Sequence, residues 1–341
     1  MTFNVLSLFG GIECGRVALN NLGITPDRYL SSEINDNSIK IASKNFPDIE
    51  PIGNVTDVKV ADLPKIDLIL AGFPCTDLSR AGRQNGFYGI DSLEDYLYLK
   101  QNKHKFKGQS YLFWEFVRLL VELEPKYFLL ENVVMPAKYK RLITKTLGLR
   151  PYEINSSDFS AQSRERLYWT NIDVEVPINI SRLSVKDMLD DTVDYGFLDG
   201  QFVPVVDRSS FDDYSDKIKG IGGFFPEGSG VNINSSEYSN LNDFKTERRV
   251  YSIHGKAPTM TTGNSTIFKI GDCCLDERSL ASYADAGSHR FRTLTVLEKE
   301  RLQGLPDNYT KVRGMADGPR SFGIGNGWTV PTIEHLLKNL V

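Results

Sequence analysis

One thiol in Gly72-Phe73-Pro74-Cys75, one acid in Glu131-Asn132-Val133 and two guanidinium groups in Gln162-Ser163-Arg164-Glu165-Arg166 are the groups whose types and spacing suit covalent chemistry. The thiol and the acid each end an apolar run that reads as a buried parallel strand, which is where reactive groups of such sheets collect. A cysteine can add to an electron-poor ring carbon, a carboxyl group can accommodate the charge that addition pushes into the ring, and a cation can anchor it. That set suits carbon 5 of cytosine, a poor nucleophile. A thiolate adding at C6 makes C5 enamine-like; after methyl transfer a base removes the C5 proton and the thiolate leaves by elimination. Taken singly, the cysteine reads as buried structure, the commoner fate of a lone cysteine, the acid as a helix N-terminal residue and the arginines as surface ion-pair partners. The chemical reading rests on their joint occurrence.

A ligand site upstream strengthens it. Phe9-Gly10-Gly11-Ile12-Glu13-Cys14-Gly15 follows the first strand and opens a helix, where backbone N–H groups can approach a ligand closely. Glu33 ends the second strand, where an acid can accept both hydroxyls of a ribose. Asp57, in Asn54-Val55-Thr56-Asp57-Val58, is suited to accept from an adenine amino group. Two acids at successive strand ends favour an adenosine-containing ligand. A pyrophosphate would be better served by a fuller G-x-G-x-x-G and nearby cations. A structural turn flanked by surface acids is the plain alternative.

The elements that must position these groups follow from the hydrophobic pattern. Apolar runs at residues 4–9, 29–34, 66–72 and 127–132 alternate with amphipathic stretches, the pattern of a parallel sheet with crossover helices. Helices are predicted over 110–123, ending at Pro125, and over 137–147, with further strands at 151–159 and 167–172. Beyond Asp173 the texture turns to scattered Gly, Ser, Asn and Asp, most clearly over 190–243, which predicts a smaller, irregular and β-rich lobe. Thr295 and Glu298 stand in capping-box spacing ahead of a helix to Leu302, and an amphipathic helix over 330–340 follows Gly325-Asn326-Gly327. The predicted organisation is a catalytic domain at 1–175, a recognition domain at 176–285 and a segment at 286–341 returning to the first. The polar stretch 80–109 separates Cys75 from the next helix, and a loop that long predicts a mobile lid or binding element.

Composition bounds the function. The chain has 341 residues, 40% of them hydrophobic, enough for a sizeable core. No run approaches the roughly 18 apolar residues needed to cross a bilayer, and the first strand begins almost at Met1, so a cytoplasmic protein without a signal peptide is expected. The cysteines, Cys14, Cys75, Cys273 and Cys274, form no C-x-x-C pattern, so no zinc site is expected. A net charge of −4 argues against binding nucleic acid by global charge. A local basic face is needed, for which Lys138, Lys140, Arg141 and Lys145, or Lys245, Arg248 and Arg249, are candidates.

These motifs resemble, in order and over nearly the whole chain, those of the C5-cytosine DNA methyltransferases that use S-adenosyl-L-methionine. Leu8-Phe9-Gly10-Gly11-Ile12 resembles the family's first motif, Gly72-Phe73-Pro74-Cys75 its nucleophile motif, Glu131-Asn132-Val133 its acid motif, and Gln162 to Arg166 its Q-x-R-x-R segment. Arg292-Thr293-Leu294-Thr295 with Glu298, Arg301 to Asp307, and Gly325-Asn326-Gly327-Trp328 resemble the ninth and tenth. The resemblance implies an α/β fold: a mostly parallel, doubly wound, Rossmann-like methyltransferase sheet plus a small β-rich target-recognition domain. It implies catalytic roles for Cys75, Glu131, Arg164 and Arg166. It places Phe9, Gly11, Ile12, Glu33, Ile34, Asp57, Val58, Leu112, Asn326 and Val330 around the cofactor, with Phe9 facing the adenine or the sulfonium. The implied partner is double-stranded DNA, with the target base flipped out, and the protein is expected to be a monomer without an obligate protein partner, of the stand-alone bacterial or phage type.

The chain departs from the family pattern at two places. Glu13 stands where a small residue is usual, and is expected either to contact the cofactor's amino group or to face solvent. The 80–109 stretch is longer than in compact bacterial members. By resemblance it closes over the base, with Ser79 at its start and Phe87, Tyr88, Tyr96 and Tyr98 available to touch DNA. Arg249 and Thr259, in the segment from Arg249 to Thr259, are expected backbone contacts, and the base-reading residues are expected between about 190 and 248. Three alternatives stand beside this reading. A tRNA-modifying relative would carry a Cys-Phe-Thr tripeptide, which this sequence lacks. A catalytically inert DNA-binding relative would have no need of Cys75, Glu131 and both arginines. A nucleotide-dependent oxidoreductase leaves Cys75 and the arginine segment unexplained.

Overall fold

The computed structural model describes residues 3–79, 85–175, 177, 181–193, 200–204, 220–226, 249–253, 255–260, 269–271 and 291–340. The chain forms two units. The first comprises 1–155, 165–176 and 330–341; the second comprises 156–164 and 177–329.

The first unit is built on a seven-stranded sheet: β1 (Asn4–Leu8), β2 (Arg28–Ser32), β3 (Ile49–Pro51), β4 (Leu68–Ala71), β5 (Tyr127–Val133), β6 (Tyr152–Asn155) and β7 (Glu165–Thr170). Their order across the sheet is β3-β2-β1-β4-β5-β7-β6. The strands from β3 to β5 are parallel, and β7 runs antiparallel to both its neighbours. The inner strands β1 and β4 are buried along their whole length, which is why they read as continuous apolar runs rather than alternating ones. Strand order reverses between β1 and β4, paired with Leu8 opposite Ala71. The glycine turn after β1 and the cysteine loop after β4 therefore leave the sheet side by side, at the switch point where ligands of such sheets bind.

Helices α1 (Cys14–Asn21), α2 (Asp36–Asn45), α3 (Leu93–Gln101), α4 (Leu112–Leu123) and α5 (Ala137–Leu147) belong to this unit. On α4, Phe113, Phe116 and Leu119 have no exposed surface and pack into the core beneath the sheet. It ends where Glu124 turns left-handed, at φ 45°, ahead of Pro125. Gly148, at φ 68°, ends α5 in the conformation that glycine adopts most cheaply.

The stretch expected as a long loop is in large part built structure. Over 85–109 it carries α3, capped by Ser92, whose side chain accepts from the Asp95 amide. Phe87 and Tyr96 are core residues, 3% and 0% exposed, so neither is available to touch DNA. Tyr88 donates to Asp77, and Tyr98 alone of the four expected aromatics is strongly exposed, at 68%. The carboxylate of Glu115, wholly buried on α4, fixes the insert: it accepts from Tyr96 and Lys100 of α3 and from Arg118. Residues 80–84 lie outside the described part.

The second unit contains a five-stranded sheet of β8 (Gly200–Pro204), β9 (Gly220–Pro226), β10 (Arg249–Ser252), β11 (Lys269–Gly271) and β12 (Phe291–Thr293), in the order β12-β11-β10-β9-β8. Two helices follow, α6 (Val296–Leu302) and α7 (Asp317–Asn326). The Thr295–Glu298 capping box forms, and Glu298 also takes a bidentate ion pair from Arg292 and the amide of Asp190. Arg301 donates to the carbonyls of Met188 and Leu189. These ties correct the expected boundary. Residues 286–329 stay with the second unit, and only the chain from Val330 onward returns to the first, where α8 (Val330–Leu337) packs on α1. Most of the stretch expected to read bases, with Lys245 and Arg248, lies outside the described residues.

Candidate active site

The turn after β1 is unusual backbone. Phe9, Gly11 and Glu13 all have left-handed φ, at 58°, 58° and 62°, a region costly for the two residues with a side chain. The turn is held by Phe9 and Gly10 amides donating to the Ser32 carbonyl. Glu13 turns inward, neither to a ligand nor to solvent, which corrects both expectations for it. It is 1% exposed and accepts hydroxyl donors from Ser7, Tyr29 and Ser31. Gly10 makes room for it: a Cβ there would stand 1.9 Å from Glu13 Oε1.

Burial raises the Glu13 carboxyl above its ordinary 4.5, and the three hydroxyl bonds pull it back only in part. The folded state therefore holds this proton more tightly than the unfolded chain. Its contribution is fully present below about pH 4.5 and is lost as pH rises through the folded value. Glu13→Gln keeps the shape and removes the titration. Its melting temperature relative to the parent is expected to rise as pH climbs above about 4.5; Glu13→Ala, which also removes the titration, is expected to follow the same trend but about 1–3 kcal/mol lower, because three buried hydroxyls lose their acceptor. Parallel melting curves for parent and Gln variant at all pH values would contradict this.

Glu33 is half-buried, and its carboxylate accepts from the Gly11 amide at 2.8 Å and from the Ile34 and Asn35 amides at 2.7 Å each. A carboxylate has about four acceptor positions. Backbone takes three here, so Glu33 can accept one further hydroxyl on Oε2 rather than both hydroxyls of a ribose. Beside it, Ile34 is 69% exposed, a large apolar side chain standing in solvent. Asp57 is exposed at the end of a short 3-10 turn, Val55–Asp57, capped by Asn54. Val58 is buried, and its carbonyl is held by Arg118. Phe9 and Leu112 are half-buried at the edge of the core. Ile12 and Val330 are wholly buried, so their side chains form core beneath the site and do not face it. Asn326 is exposed at the end of α7, in the second unit.

The cysteine loop is anchored on both sides of the thiol. Phe73, 2% exposed, packs on Phe113 with ring centroids 5.4 Å apart. Its carbonyl accepts from Asn132 Nδ2 at 2.9 Å, which ties the loop to β5 beside Glu131. The Cys75 carbonyl accepts the Leu78 and Ser79 amides, both at 2.9 Å, closing a turn that leaves Cys75 and Ser79 partly exposed. Asp77 within that turn is 4% exposed and accepts from the Tyr88 hydroxyl and the Gln109 amide. Nothing local to Asp77 points to the Gln109 bond, because that partner lies 32 residues away.

Glu131 and Arg166 come together because β7 is antiparallel to β5, with Val133 opposite Arg166 and Glu131 opposite Tyr168. On that diagonal, Arg166 Nε meets Glu131 Oε1 at 3.0 Å, with 13% and 12% of the two side chains exposed. Arg164 is turned elsewhere. It is 6% exposed and donates to the carbonyls of Met260, Gly325 and Gly327, all within the second unit. Thr259, an expected DNA contact, donates its hydroxyl to the Ser163 carbonyl and so has no proton left for a phosphate. Lys256 is wholly buried on the Ser160 and Ser181 carbonyls. Arg249 sits on β10 near Tyr251, whose hydroxyl burial raises and Arg249 lowers. No cluster of residues suited to a metal occurs among the described residues, and no helix among them is long and apolar enough to cross a membrane.

A family model described as C-5 cytosine-specific DNA methylase matches residues 3–341. The Type II methyltransferase M1.ScrFI of Lactococcus lactis subsp. cremoris is 27% identical over 99% of this chain and 78% of its own length. The Type II methyltransferase M.NgoBI of Neisseria gonorrhoeae is 26% identical over 98% and 92%. Among solved structures, the Dnmt2 methyltransferase of S. pombe superposes with a TM-score of 0.66 at 16% identity, over 98% of this chain and 97% of the other. A putative DNA modification methyltransferase encoded within an E. coli prophage gives 0.60 at 19%, over 99% and 98%. At these identities the structures establish a common fold.

Proposed function

Since the chain belongs to the C-5 cytosine-specific DNA methylase family and is an S-adenosylmethionine-dependent DNA cytosine methyltransferase, we propose that Cys75 is the thiol that adds to C6 of a flipped cytosine. The observation that carries this reading is the anchoring of the Cys75 loop to β5 through Asn132 Nδ2 and the Phe73 carbonyl, next to the Glu131–Arg166 pair. Glu131 faces N3 of the ring and takes up the charge that addition displaces. Arg166 fixes the orientation of Glu131 through its Nε bond. Arg164 is a positioning residue that holds the Gly325 and Gly327 carbonyls and the Met260 carbonyl in place. Once C5 carries its methyl group, a base takes the C5 proton, the C–H electron pair becomes the C5–C6 double bond, and the Sγ–C6 bond breaks to release the Cys75 thiolate.

The residues at the carboxyl ends of β1 and β2 fit the adenosine part of the cofactor. Gly11 lets backbone approach a ligand, Oε2 of Glu33 accepts a ribose hydroxyl, exposed Ile34 offers an apolar face to the adenine, and Asp57 accepts from its amino group. S-adenosylmethionine supplies the methyl group as an activated sulfonium. Phe9 and Leu112 border the same end of the sheet, with the Val58 backbone held by Arg118 and with Ile12 and Val330 as the packed floor. The second unit serves target recognition, with Arg249 at the DNA backbone; Ser79 of the first unit also meets a phosphate, and the enzyme works as a monomer in the cytoplasm.

Incubation of the protein with duplex DNA and methyl-labelled S-adenosylmethionine, followed by bisulfite mapping, tests this. Label is expected in DNA, at cytosines of one defined sequence that resist deamination. Label in RNA but not in DNA, or in neither, would overturn the reading.

A further inference from the structure

Net charge of −4 leaves duplex binding dependent on local cations, and the insert after Cys75 carries a concentration of them that the catalytic reading does not use. From Tyr96 to Trp114 the sequence holds no acid, and Lys103, His104, Lys105 and Lys107 fall within five consecutive positions. All four are exposed. We infer that Lys103, Lys105 and Lys107 form a docking surface for the phosphate backbone of duplex DNA beside the nucleophile, an inference that rests on the reading of Cys75 and its substrate given above.

Position supports it. The turn bearing these lysines joins the nucleophile loop at its far end: the Gln109 amide donates to Asp77, two residues after Cys75, at 2.8 Å. Gly108, at φ 63°, lies so close that a Cβ there would stand 2.3 Å from Asp77 Oδ2. A duplex that presents a cytosine to Cys75 thus brings its own phosphates alongside the turn.

Rigidity supports it as well. The lysines leave a turn of fixed shape, because Phe106 stacks on Tyr111, with centroids 4.5 Å apart and planes 16° off parallel, and packs on Tyr96, which Glu115 holds. The start of the turn is a closed helix end. The His104 amide donates to the Leu99 carbonyl and the Lys103 amide to the Lys100 carbonyl, with Lys103 at φ 54° where glycine is usual. Lysine in that position retains a cation at some conformational cost. Cations displayed from a fixed turn lose less freedom on meeting phosphate than those on a flexible one.

The test is the salt dependence of binding to a fluorescein-labelled duplex of mixed sequence, measured by anisotropy on the full chain. Neutralising each phosphate contact lowers the slope of log Kd against log salt by about 0.9. K103Q/K105Q/K107Q is expected to lower the slope by about two to three units, with unchanged cofactor affinity and melting temperature. A matched variant, K40Q/K65Q/K126Q, is expected to change it by less than one. If the triple variant does not fold, the single Gln variants carry the same test at about one unit each. An unchanged slope, or an equal fall in the matched variant, overturns the surface while leaving the assignment of Cys75 intact. A parent protein that binds cofactor but no duplex overturns the underlying reading, and the surface with it.

Discussion

Cys75→Ser abolishes methyl transfer, by about 10^4-fold or more in kcat, while cofactor and duplex DNA still bind. Loss of a covalent nucleophile is among the largest single effects in enzymes, because the alternative route must cross the barrier that the covalent step avoids. At neutral pH a few per cent of an ordinary thiol is thiolate, and an alcohol offers essentially no alkoxide. The substitution is mild structurally. Cys75 is partly exposed, and its loop is held by the Phe73 carbonyl, the Phe73 ring and its own carbonyl, none of which the change touches. Single-turnover kinetics at saturating cofactor and DNA, beside equilibrium binding of each, would read both parts. Methylation within tenfold of the parent would remove Cys75 from its role.

Glu131→Gln comes second, with an expected loss of roughly 10^2- to 10^4-fold in kcat, the usual range for a positioned acid or base. The amide keeps the volume and can still accept from Arg166 Nε, so the fold and the binding of DNA should hold. What disappears is the ability to hold a proton at N3 as addition pushes charge into the ring. The loss should fall on kcat rather than on KM for DNA, since the acid is needed as charge develops. Arg166→Gln separates orientation from chemistry. With Glu131 present but unheld, activity should fall less than with Glu131→Gln, and the double variant should lose less than the sum of the two, because the residues act as one unit. Additive losses would mean that the 3.0 Å pair is not the working arrangement.

The inner strands and the motif order were legible because buried parallel strands leave continuous apolar runs, and because the groups after them need few neighbours in sequence to be recognised. What escaped depends on contacts between distant residues. Glu13 looked like a surface or ligand-facing acid, since its partners Ser7, Tyr29 and Ser31 gather around it only through the register of β1 against β2. Helix α3 was hidden because its sole fully buried member is Tyr96, so no apolar face repeats along it. The return of the chain at Val330 rather than at 286 turns on side chains bonding to distant backbone, Glu298 to Asp190 and Arg301 to Met188 and Leu189. Arg164 and Arg166, two positions apart on an extended chain, have separate fates for a simple reason. Arg166 lies within β7 and points to β5, while Arg164 precedes the strand, belongs to the second unit and is bound by carbonyls of that same unit.

The measurement that tests the central claim most directly is covalent trapping. A duplex whose target cytosine carries fluorine at C5 can accept the thiolate at C6 and the methyl group at C5, but it has no C5 proton to lose, so elimination stops. The account predicts a protein–DNA adduct that survives denaturant, forms only with S-adenosylmethionine present, and places the modified nucleotide on the peptide containing Cys75 by mass spectrometry. An adduct on another residue, or methylation of normal duplex with no adduct on the fluorinated one, would contradict it.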